Sequence, residues 1–358
     1  MANIMLIANL NCDRVLQLDK PLVTGGRHHY LDDGRRLGGG GANTGLGLVW
    51  AGHDVALVSQ VGKDETADWL LAEASLSGLN CALLHRNDVV TPELLLLMTP
   101  DGERTIIRPQ RPRFVLGTPP RFANWDALYI NSSAEGGELW AQEALEHSLV
   151  VAQLAKDERL RPCHVLITSE SDLAGRTTLP LWQYGRSIAG EALRYFVVTD
   201  GENGAKAYTA DETYFVPALD TDVVDTTGAG DAFASGLIHA LVNRESIVDA
   251  MAEGANLLPG ASTPSEVMQL LEQGFACQKF FPAEAAGGVP MLKALAGPLP
   301  QVTFCPTGGI TYQSASSYLS LPNVVCVGGS WMVNSELIKD KRWGVIQDMA
   351  TQAAGLRS

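Results

Sequence analysis

The sequence lacks the features that mark membrane, secreted and nucleic-acid-binding proteins. No apolar run among its 358 residues approaches the length of a membrane span, and no basic segment precedes a signal-peptide core at the N-terminus. Acidic residues outnumber basic ones by 40 to 26, which gives a formal charge of -14 and leaves no basic face for nucleic acid or an anionic membrane. We therefore expect a cytoplasmic protein with a small-molecule substrate.

Paired cysteines are also lacking. The six cysteines are scattered along the chain without a Cys-x-x-Cys motif, at Cys12, Cys81, Cys163, Cys277, Cys305 and Cys326. In a chain of this length they indicate reduced, mostly buried thiols rather than a disulfide framework or a zinc site.

Hydrophobic residues and glycines are abundant, at 46% and 36 residues, so the chain can bury a large core and has the turns that βα units require. Strand-like runs are predicted at Val55 to Val58, Leu94 to Met98, Thr105 to Ile107, Ala127 to Ile130, Val165 to Ile167 and Tyr195 to Val198. Helices are predicted between them at Ala42 to Trp50, Ala67 to Ala74 and Glu138 to Gln153. This order predicts a doubly wound α/β sheet with ligands at the carboxyl ends of its strands.

The run Asp-Thr-Thr-Gly-Ala-Gly-Asp at residues 225–231, which leads into an apolar stretch, is the most informative motif. Its glycines let backbone N–H groups crowd together at a helix start, where unpaired donors and the helix dipole favour a phosphate or the charge that develops during its transfer. The carboxylate of Asp231 would lie at the same helix start, close enough to take a proton from an attacking hydroxyl. The alternative is an acidic residue that only stabilises the helix N-terminus.

This motif and a second one near the N-terminus resemble those of the ribokinase-like (PfkB) carbohydrate kinases. The second motif is Gly-Gly-Gly-Gly-Ala-Asn at residues 38–43, followed by an apolar helix and by Val-Ser-Gln-Val-Gly-Lys-Asp at 58–64. The resemblance covers about residues 1–255 and implies a ribokinase-like doubly wound sheet with a small β-lid, formed around residues 22–37 and 83–108. It also implies a kinase that uses ATP and Mg²⁺ to phosphorylate a sugar or sugar acid.

The resemblance implies roles for residues at matching positions. Asp231 is then the catalytic base, and the amides of Gly228, Ala229 and Gly230 form the anion hole. The sugar-binding positions are Asp13, Gly39, Gly40 and Asn43, and the nucleotide-binding positions are Thr199, Gly201, Gly204 and Thr226. On spacing alone, Asp13 would be a turn residue at a strand end, and the segment 199–204 would be a plain hairpin turn.

Two further positions carry weaker signals. Arg108, with Arg111 and Arg113 nearby, has the planar fork that binds a substrate carboxylate, although a solvated basic loop explains these arginines equally well. The Asn-x-x-Glu magnesium motif of the family is represented by Ser-Glu-Ser-Asp at 169–172, which keeps an acid and loses the asparagine. Asp172 is therefore the candidate metal ligand.

A second resemblance begins where the first ends. Motifs at residues 257–266 (Leu-Leu-Pro-Gly-Ala-Ser-Thr-Pro-Ser-Glu), 279–284 (Lys-Phe-Phe-Pro-Ala-Glu), 304–309 (Phe-Cys-Pro-Thr-Gly-Gly) and 327–331 (Val-Gly-Gly-Ser-Trp) look like the latter half of 2-keto-3-deoxy-6-phosphogluconate (KDPG) aldolase. Short apolar runs alternate there with amphipathic helices, which indicates parallel βα units. The predicted helices are Thr263 to Gly274, Val289 to Leu295, Gln313 to Leu319 and Ser335 to Ala354.

Lys279 lies in an otherwise apolar strand, where loss of water would disfavour its ammonium form and leave an amine able to form a Schiff base with a keto acid. A strand-end lysine that reaches solvent is the alternative. The resemblance makes Lys279 the former Schiff-base lysine and implies a phosphate and pyruvate side where barrel strands seven and eight meet their helices. The residues assigned to that side are Phe281, Thr307, Gly308, Gly309, Gly328, Gly329 and Ser330.

The aldolase resemblance covers only part of a fold. A (β/α)₈ barrel needs roughly 200 residues or more, and strands one to four, with the acid/base glutamate and the carboxylate-binding arginine, have no counterpart here. We predict a truncated kinase domain at residues 1–255 that runs without a linker into a half barrel, strands five to eight, at residues 256–358. An open half barrel must pair with something, so a homo-oligomer is expected.

The leading functional hypothesis is ATP-dependent phosphorylation of a sugar or sugar acid. The first candidate is 2-keto-3-deoxygluconate, because its 6-phosphate is the compound that KDPG aldolases cleave. The alternatives are a lyase that cleaves KDPG to pyruvate and glyceraldehyde 3-phosphate at Lys279, and an inactive fusion of two partial enzymes.

Overall fold

The computed structural model describes residues 1–100, 104–218, 228–255, 260–272, 276–329, 331 and 342–357. The chain forms two compact units, Met1–Leu257 and Leu258–Ser358, each with its own sheet. No helix among the described residues is long and apolar enough to cross a membrane.

The main sheet of the first unit has eight strands. They are β1 (Asn3–Ala8), β4 (Asp54–Val58), β9 (Ala127–Asn131), β10 (Leu149–Gln153), β11 (Val165–Ser169), β12 (Tyr195–Thr199), β13 (Ala205–Tyr208) and β14 (Thr213–Val216). Their order across the sheet is β14-β13-β12-β11-β10-β9-β1-β4, parallel from β4 to β12 and antiparallel at β13 and β14. The carboxyl ends of six parallel strands therefore meet at one edge, where open α/β sheets bind ligands.

Helices cover both faces of this sheet because both faces of its strands are apolar. In β1, Ile4 and Leu6 belong to one buried cluster, whereas Met5 and Ile7 belong to the other. The first cluster packs against α1 (Gly40–Trp50), α2 (Glu65–Leu76), α6 (Ala229–Val242) and α7 (Ile247–Ala255), and the second against α3 (Gly137–Leu145) and α5 (Leu181–Ala189). The short helix α4 (Glu170–Leu173) follows β11. The predicted doubly wound sheet is confirmed.

A smaller sheet contains four strands, β2 (Asn11–Leu18), β3 (Tyr30–Gly38), β7 (Glu93–Met98) and β8 (Arg104–Ile107), in the order β3-β2-β7-β8. A two-stranded sheet pairs β5 (Gln60–Val61) with β6 (His85–Arg86). Because β3 leads directly into α1, the small sheet is continuous in the chain with the helix that carries Asn43.

One predicted helix of the first unit is wrong over half its length. The stretch from Glu138 to Gln153 is helical only as far as Leu145 and then forms β10. Val150 and Val151 are fully buried, and β-branched side chains pack well in a strand between two neighbours. Asp13 is also not a turn residue at a strand end, since it lies inside β2.

The second unit contains three adjacent parallel strands, β15 (Gly260–Ala261), β16 (Cys277–Phe280) and β17 (Thr303–Pro306). Parallel bridges also join Phe304 to Val324 and Thr307 to Gly328. The helices are α8 (Pro264–Glu272), α9 (Gly288–Leu295), α10 (Tyr312–Leu319) and α11 (Trp343–Ala354). Parts of two predicted helices, at 273–274 and 335–341, lie outside the described residues.

Side chains alternate across β16 and β17. Phe280 and Phe304 are fully buried and meet edge to face with their ring centroids 6.0 Å apart. Lys279 and Cys305, paired in register between the same strands, therefore point to the opposite face of the sheet.

Candidate active site

Helix α6 begins at the glycine-rich motif. Gly228 is its N-cap with φ 73° and ψ 3°, a left-handed conformation that glycine adopts with little strain. Ala229, Gly230 and Asp231 form the first turn, and no described side chain caps their N–H groups. N–H groups at such a helix start, together with the positive end of the helix dipole, can serve as an anion cradle. Thr226, the neighbouring nucleotide-binding candidate, lies outside the described residues.

Two asparagines hold the carboxylate of Asp231. Asn43 in α1 donates from Nδ2 to Oδ2 at 3.0 Å, and Asn131, the last residue of β9, donates from Nδ2 to Oδ1 at 2.9 Å. The hydroxyl of Thr44 donates to the backbone carbonyl of Asp231 at 3.2 Å. Asn43 and Asn131 lie 188 and 100 residues away from Asp231 in sequence, so the site exists only once the sheet and both helices have assembled.

Glycines at the start of α1, the N-cap Gly39 and the first helical residue Gly40, permit this close approach. A Cβ atom on Gly40 would lie 2.4 Å from Nδ2 of Asn131 and 3.1 Å from Oδ1 of Asp231. A Cβ atom on Gly39, which has φ 83°, would lie 2.5 Å from the carbonyl oxygen of Asn9. A side chain at Gly40 would therefore force the Asn131–Asp231 contact apart.

The surroundings of Asp231 set its basicity. Burial raises the pKa of its carboxyl above the ordinary range of an aspartate, and hydrogen bonds from Asn43 and Asn131 oppose that change. A carboxylate with a raised pKa is a stronger base than a solvated one. The site thus offers an oriented proton acceptor beside an anion cradle, which is the combination needed to activate a hydroxyl and pass a phosphoryl group to it.

A cavity of about 340 Å³ lies next to Asp231 and the start of α6. Basic side chains dominate its charged lining, which consists of Arg108, Arg111, Lys156 and Arg161 against Asp172 and Asp231. The predicted carboxylate-binding residue, Arg108, thus shares a cavity with the predicted base. In a chain with a net charge of -14, such a local excess of positive charge favours an anionic ligand.

A second cavity, of about 190 Å³, has polar groups that suit sugar hydroxyls. Its polar lining includes Asn9, Asn11, Ser59, Gln60, Ser132 and Ser133. Arg111 lines both cavities, whereas Arg113 forms a bidentate pair with Glu135 through contacts of 2.6 and 2.5 Å. Arg111 is therefore the arginine that the two cavities share.

Asp13 lies beside the glycine run that contacts Asp231. It pairs in register with Arg36, and a Cβ atom on Gly38 would lie 2.1 Å from its Oδ2 atom. Asp13 is not among the residues that line either of these cavities. Its assignment to sugar binding remains a prediction.

The turn at residues 199–204 connects the antiparallel strands β12 and β13. Gly201 and Gly204 have φ values of 48° and 90°, and a Cβ atom on Gly204 would lie 2.1 Å from the carbonyl oxygen of Val216. The hydroxyl of Thr199 donates to the carbonyl of Thr168 at 3.3 Å. The turn conformation and close packing are thus enough to account for glycine at 201 and 204 and for the contact of Thr199. The role of these residues in nucleotide binding remains a prediction, which rests on the position of the turn at the ligand-binding edge.

The candidate metal ligand, Asp172, already has a cationic partner. It lies in the first turn of α4, and the ammonium of Lys156 donates a hydrogen bond to its carboxylate. That positive charge opposes binding of a divalent cation at the same oxygen. Among the described residues, no group of three or more His, Cys, Asp or Glu side chains could hold a metal ion. Within the described part of the chain, Asp172 and its surroundings therefore do not fit a magnesium ion held by the protein.

In the second unit, Lys279 is half-buried rather than enclosed in an apolar strand. Its Nζ atom lies 5.0 Å from the ring centroid of Phe281, which is itself 50% exposed. An ammonium over an aromatic face is stabilised by the ring quadrupole. The side chain of Lys279 is therefore less shielded from water than the sequence predicted. Its role in Schiff-base formation remains a prediction.

The glycine pairs of the second unit are sites of close packing. Gly308 and Gly309 have φ values of 93° and 81°, and Cβ atoms on them would lie 2.9 Å from the ring of Phe281 and 2.8 Å from Cβ of Glu284. A Cβ atom on Gly328 would lie 2.6 Å from Cγ2 of Thr307, and one on Gly329 would overlap the ring of Trp331. The structure thus brings Phe281, Thr307 and the glycines together, whereas Ser330 lies outside the described residues.

The sequence alone did not identify Asn131 as a partner of Asp231, nor Lys156 and Arg161 as residues of the cavity. It also did not show that Arg111 lines both cavities. Asn131 carried one signal, because a polar residue directly follows the apolar run that forms β9. Lys156 follows β10, so its proximity to the ligand-binding edge was hidden by the prediction of helix over that strand.

Comparison with protein families finds two matches along the chain. The model described as pfkB family carbohydrate kinase matches residues 1–257, and the model described as KDPG and KHG aldolase matches residues 216–349. The two matches overlap over residues 216–257, which include α6 and α7. The aldolase match therefore begins 40 residues before the predicted start at 256, and the domain limits remain a prediction.

Individual proteins resemble one part of the chain each. The 2-dehydro-3-deoxy-phosphogluconate aldolase of Pseudoalteromonas atlantica is 42% identical over 130 residues, which are 36% of this chain and 58% of that protein. The chain thus spans little more than half the length of this curated relative.

Among solved structures, the ribokinase of Thermotoga maritima is similar with a TM-score of 0.59 and 17% identity, over 71% of this chain and 91% of that one. Arabidopsis thaliana ribokinase complexed with ribose and ATP has a TM-score of 0.60 and 17% identity, over 71% and 90%. At this identity the likeness shows the fold alone, which is the ribokinase-like α/β fold with its large mixed sheet. On the family match over most of its length, this chain belongs to the pfkB family of carbohydrate kinases, joined to a KDPG/KHG aldolase region.

Proposed function

We propose that the first unit transfers a phosphoryl group from ATP to a hydroxyl of a sugar or sugar acid, with Asp231 as the base. The observation that carries this proposal is the hydrogen-bonded group of Asn43, Asn131 and Asp231 at the start of α6, next to a cavity with a cationic lining. Family membership supports the reaction class.

The proposed chemistry uses three properties of this site. The two asparagines fix the plane of the Asp231 carboxylate and leave oxygen lone pairs for a hydroxyl proton. The raised pKa of Asp231 strengthens it as the acceptor of that proton. The N–H groups at Gly228 to Gly230 face the negative charge that spreads over the transferred group, because unpaired helix N-terminal donors favour such charge.

The proposed acceptor is a sugar acid, and the best candidate is 2-keto-3-deoxygluconate, phosphorylated at O6. Arg108 and Arg111 in the cavity with Asp231 support an acidic substrate, because a guanidinium can bind a carboxylate through two hydrogen bonds. Asp13, Gly39, Gly40 and Asn43 are proposed to face its hydroxyls. The aldolase region supports this choice indirectly, since proteins of that family are named for the phosphorylated product.

ATP is proposed to bind along the carboxyl edge of the sheet, with Thr199, Gly201, Gly204 and Thr226 on the nucleoside side. A pfkB-family match and a similar fold whose solved structure contains ATP support that choice. Magnesium enters the proposal as the ion that accompanies the nucleotide phosphates, since the described residues of this chain do not form a site for it.

A second candidate function belongs to the aldolase region. We propose that residues 256–358 correspond to strands five to eight of a (β/α)₈ barrel and that Lys279 forms a Schiff base with pyruvate. The alternation of parallel strands and helices and the position of Lys279 beside Phe281 support this candidate. Open sheet edges would favour pairing with a second copy of the chain.

One pair of assays tests both candidates on the full chain. Release of ADP is followed with sugar acids and with neutral sugars of matched size, and intact mass is measured after incubation with pyruvate and borohydride. Phosphorylation that favours the acids supports the kinase proposal. Failure of both assays would support an inactive fusion.

A further inference from the structure

The strand order of the main sheet places chemical groups in a row along its carboxyl edge. From β9 to β12 these are Asn131, which holds Asp231, then Lys156 after β10, Asp172 after β11 and the turn at 199–204 after β12. Neighbouring strands lie about 4.8 Å apart, so the row extends over roughly 14 Å. An extended triphosphate with its ribose has a comparable length.

Lys156 lies in this row between the proposed nucleoside side and the proposed base. It shares a cavity with Gly228, Ala229 and Gly230 at the start of α6, where the proposed anion cradle lies. The terminal phosphates of a nucleotide bound between the β12 turn and Asp231 would pass this position.

The four basic side chains of the cavity are not equally available. Arg161 is 5% exposed and donates a hydrogen bond to the carbonyl of Ser132, so it is fixed in the protein interior. The side chain of Lys156 is 77% exposed and can turn towards a ligand. Its ammonium is anchored at one oxygen of Asp172, whose backbone N–H is bonded in turn to the hydroxyl of Ser169.

We infer that Lys156 binds the terminal phosphates of the nucleotide and that Asp172 positions this lysine instead of ligating magnesium. The inference rests on the proposed ATP site in the first unit. It reverses the role that the sequence motif implies for Asp172, because the contact seen at its carboxylate is an ammonium. Lys156 supplies a point charge with three donors, which suits the non-bridging oxygens of phosphate.

Binding of ATP in the presence of EDTA, measured by calorimetry on the full chain, tests this inference. Without magnesium the positive charge must come from the protein, so Lys156→Met should weaken ATP binding by about 10- to 100-fold, the range of a lost charge-assisted hydrogen bond. Lys156→Arg should retain most of the affinity, and Asp172→Asn should weaken it by less than Lys156→Met. Lys63→Met is the matched control, since Lys63 also forms an exposed ion pair with an aspartate, Asp88, at 2.7 Å.

Three results would overturn the inference. The first is wild-type affinity of Lys156→Met in EDTA, and the second is no measurable ATP binding by the wild type in EDTA. The third is loss of the magnesium dependence of ATP binding in Asp172→Asn, which would make Asp172 a metal ligand. These measurements are binding constants, so they test the role of Lys156 and not the role of Asp231. The proposed base is tested by turnover: an Asp231→Asn variant that still phosphorylates its substrate would contradict it.

Discussion

The two units place their candidate catalytic residues in different settings. In the first unit Asp231 receives hydrogen bonds from Asn43 and Asn131, which are 188 and 100 residues away in sequence. In the second unit the contact described for the Lys279 ammonium is with Phe281, two residues along the chain. Among the described residues, the long-range side-chain hydrogen bonds to Asp231 thus contrast with a local contact at Lys279. Acid–base catalysis depends on such hydrogen-bond partners.

The largest effect is expected at Asp231, where the distant partners meet. Asp231→Asn removes the base and keeps both asparagine contacts once the amide of Asn43 or Asn131 is reversed to accept from the new NH₂ group. Turnover should therefore fall by about 10²- to 10⁴-fold while nucleotide binding stays nearly intact. The folded chain should be at least as stable, because the raised pKa means that the ionised carboxylate is disfavoured by folding. Steady-state kinetics and thermal unfolding measure both, with the exposed Asp211→Asn as control. Retention of most of the turnover would end the assignment of the base.

The complementary prediction concerns Lys279 and rests on the proposed half barrel, in which the acid/base glutamate and the carboxylate-binding arginine of strands one to four have no counterpart. Slow adduct formation with pyruvate is expected at most, and it should be lost in Lys279→Ala but kept in Lys293→Ala, an exposed lysine of the same unit. Cleavage of KDPG should not reach rates typical of enzymes, about 10 s⁻¹. Intact mass after borohydride treatment and a pyruvate-release assay report these outcomes. Cleavage at enzyme rates would mean that another chain or another part of this one completes the site.

A smaller effect on kinetics is expected at Arg108. Its replacement tests whether the first unit distinguishes an acidic substrate from a neutral one. Arg108→Ala should raise the KM for a sugar acid by roughly 30-fold, about 2 kcal/mol for a lost charge-assisted pair, and should change the KM for a neutral sugar little. Arg121→Ala, an exposed arginine that lines neither cavity, is the control. Equal effects on both substrates would reduce Arg108 to a residue of a solvated loop.

The effect of Asn131 on the pKa of Asp231 should be visible in the pH dependence of kcat/KM. Its hydrogen bond stabilises the ionised form of Asp231 and opposes the rise in pKa caused by burial. In Asn131→Ala the pKa of Asp231 should rise further, so the acid limb of kcat/KM should move to higher pH by roughly one unit. A profile that loses amplitude without moving would show that Asn131 acts only on the structure of the site.

The smallest effect concerns the far ends of the two helices that carry Asn43 and Asp231. His53, just after α1, accepts from the N–H of Ala2 at 3.1 Å and meets His239 of α6 at 2.9 Å. Burial and His239 lower the pKa of His53 to about 4. A histidine whose pKa is lowered by folding contributes stability that is present above about pH 6.5 and declines as the pH falls towards 4.

His53→Gln should remove this part of the pH dependence, on the order of 1 kcal/mol or 2–4 °C in melting temperature. Thermal unfolding of the wild type and the variant from pH 7 to pH 4 measures it. Parallel curves for the two proteins would show that the histidine pair does not link the helices energetically.

Local motifs made much of the first site predictable. The left-handed N-cap at Gly228, the helix after it and the close approach at Gly40 follow from glycines at fixed spacing, and Asp231 follows from its place in the same motif. The asparagine partner from β9 was not predictable in the same way, because a single polar residue after a strand is common and its pairing depends on strand order. Register across the sheet, which sequence spacing does not reveal, brings Asn131 to the carboxylate.

One error in secondary structure had a chemical consequence. The sequence pattern predicted that residues 149–153 end a helix, whereas they form β10 in the middle of the sheet. Without that strand, Lys156 could not be placed at the ligand-binding edge. The family's magnesium motif made Asp172 the candidate metal ligand, whereas in the structure its carboxylate accepts a hydrogen bond from Lys156. The strand shows that β-branched residues after a turn at Ser148 outweigh the helical tendency of the preceding segment.

The contrast between the two units is tested most directly by one sample of the intact chain assayed for both reactions. ATP-dependent phosphorylation of sugar acids is followed beside KDPG cleavage, in the wild type, Asp231→Asn and Lys279→Ala. We expect phosphorylation that Asp231→Asn removes and Lys279→Ala leaves unchanged, with no cleavage at enzyme rates in any of the three. Cleavage without phosphorylation, lost in Lys279→Ala, would contradict it.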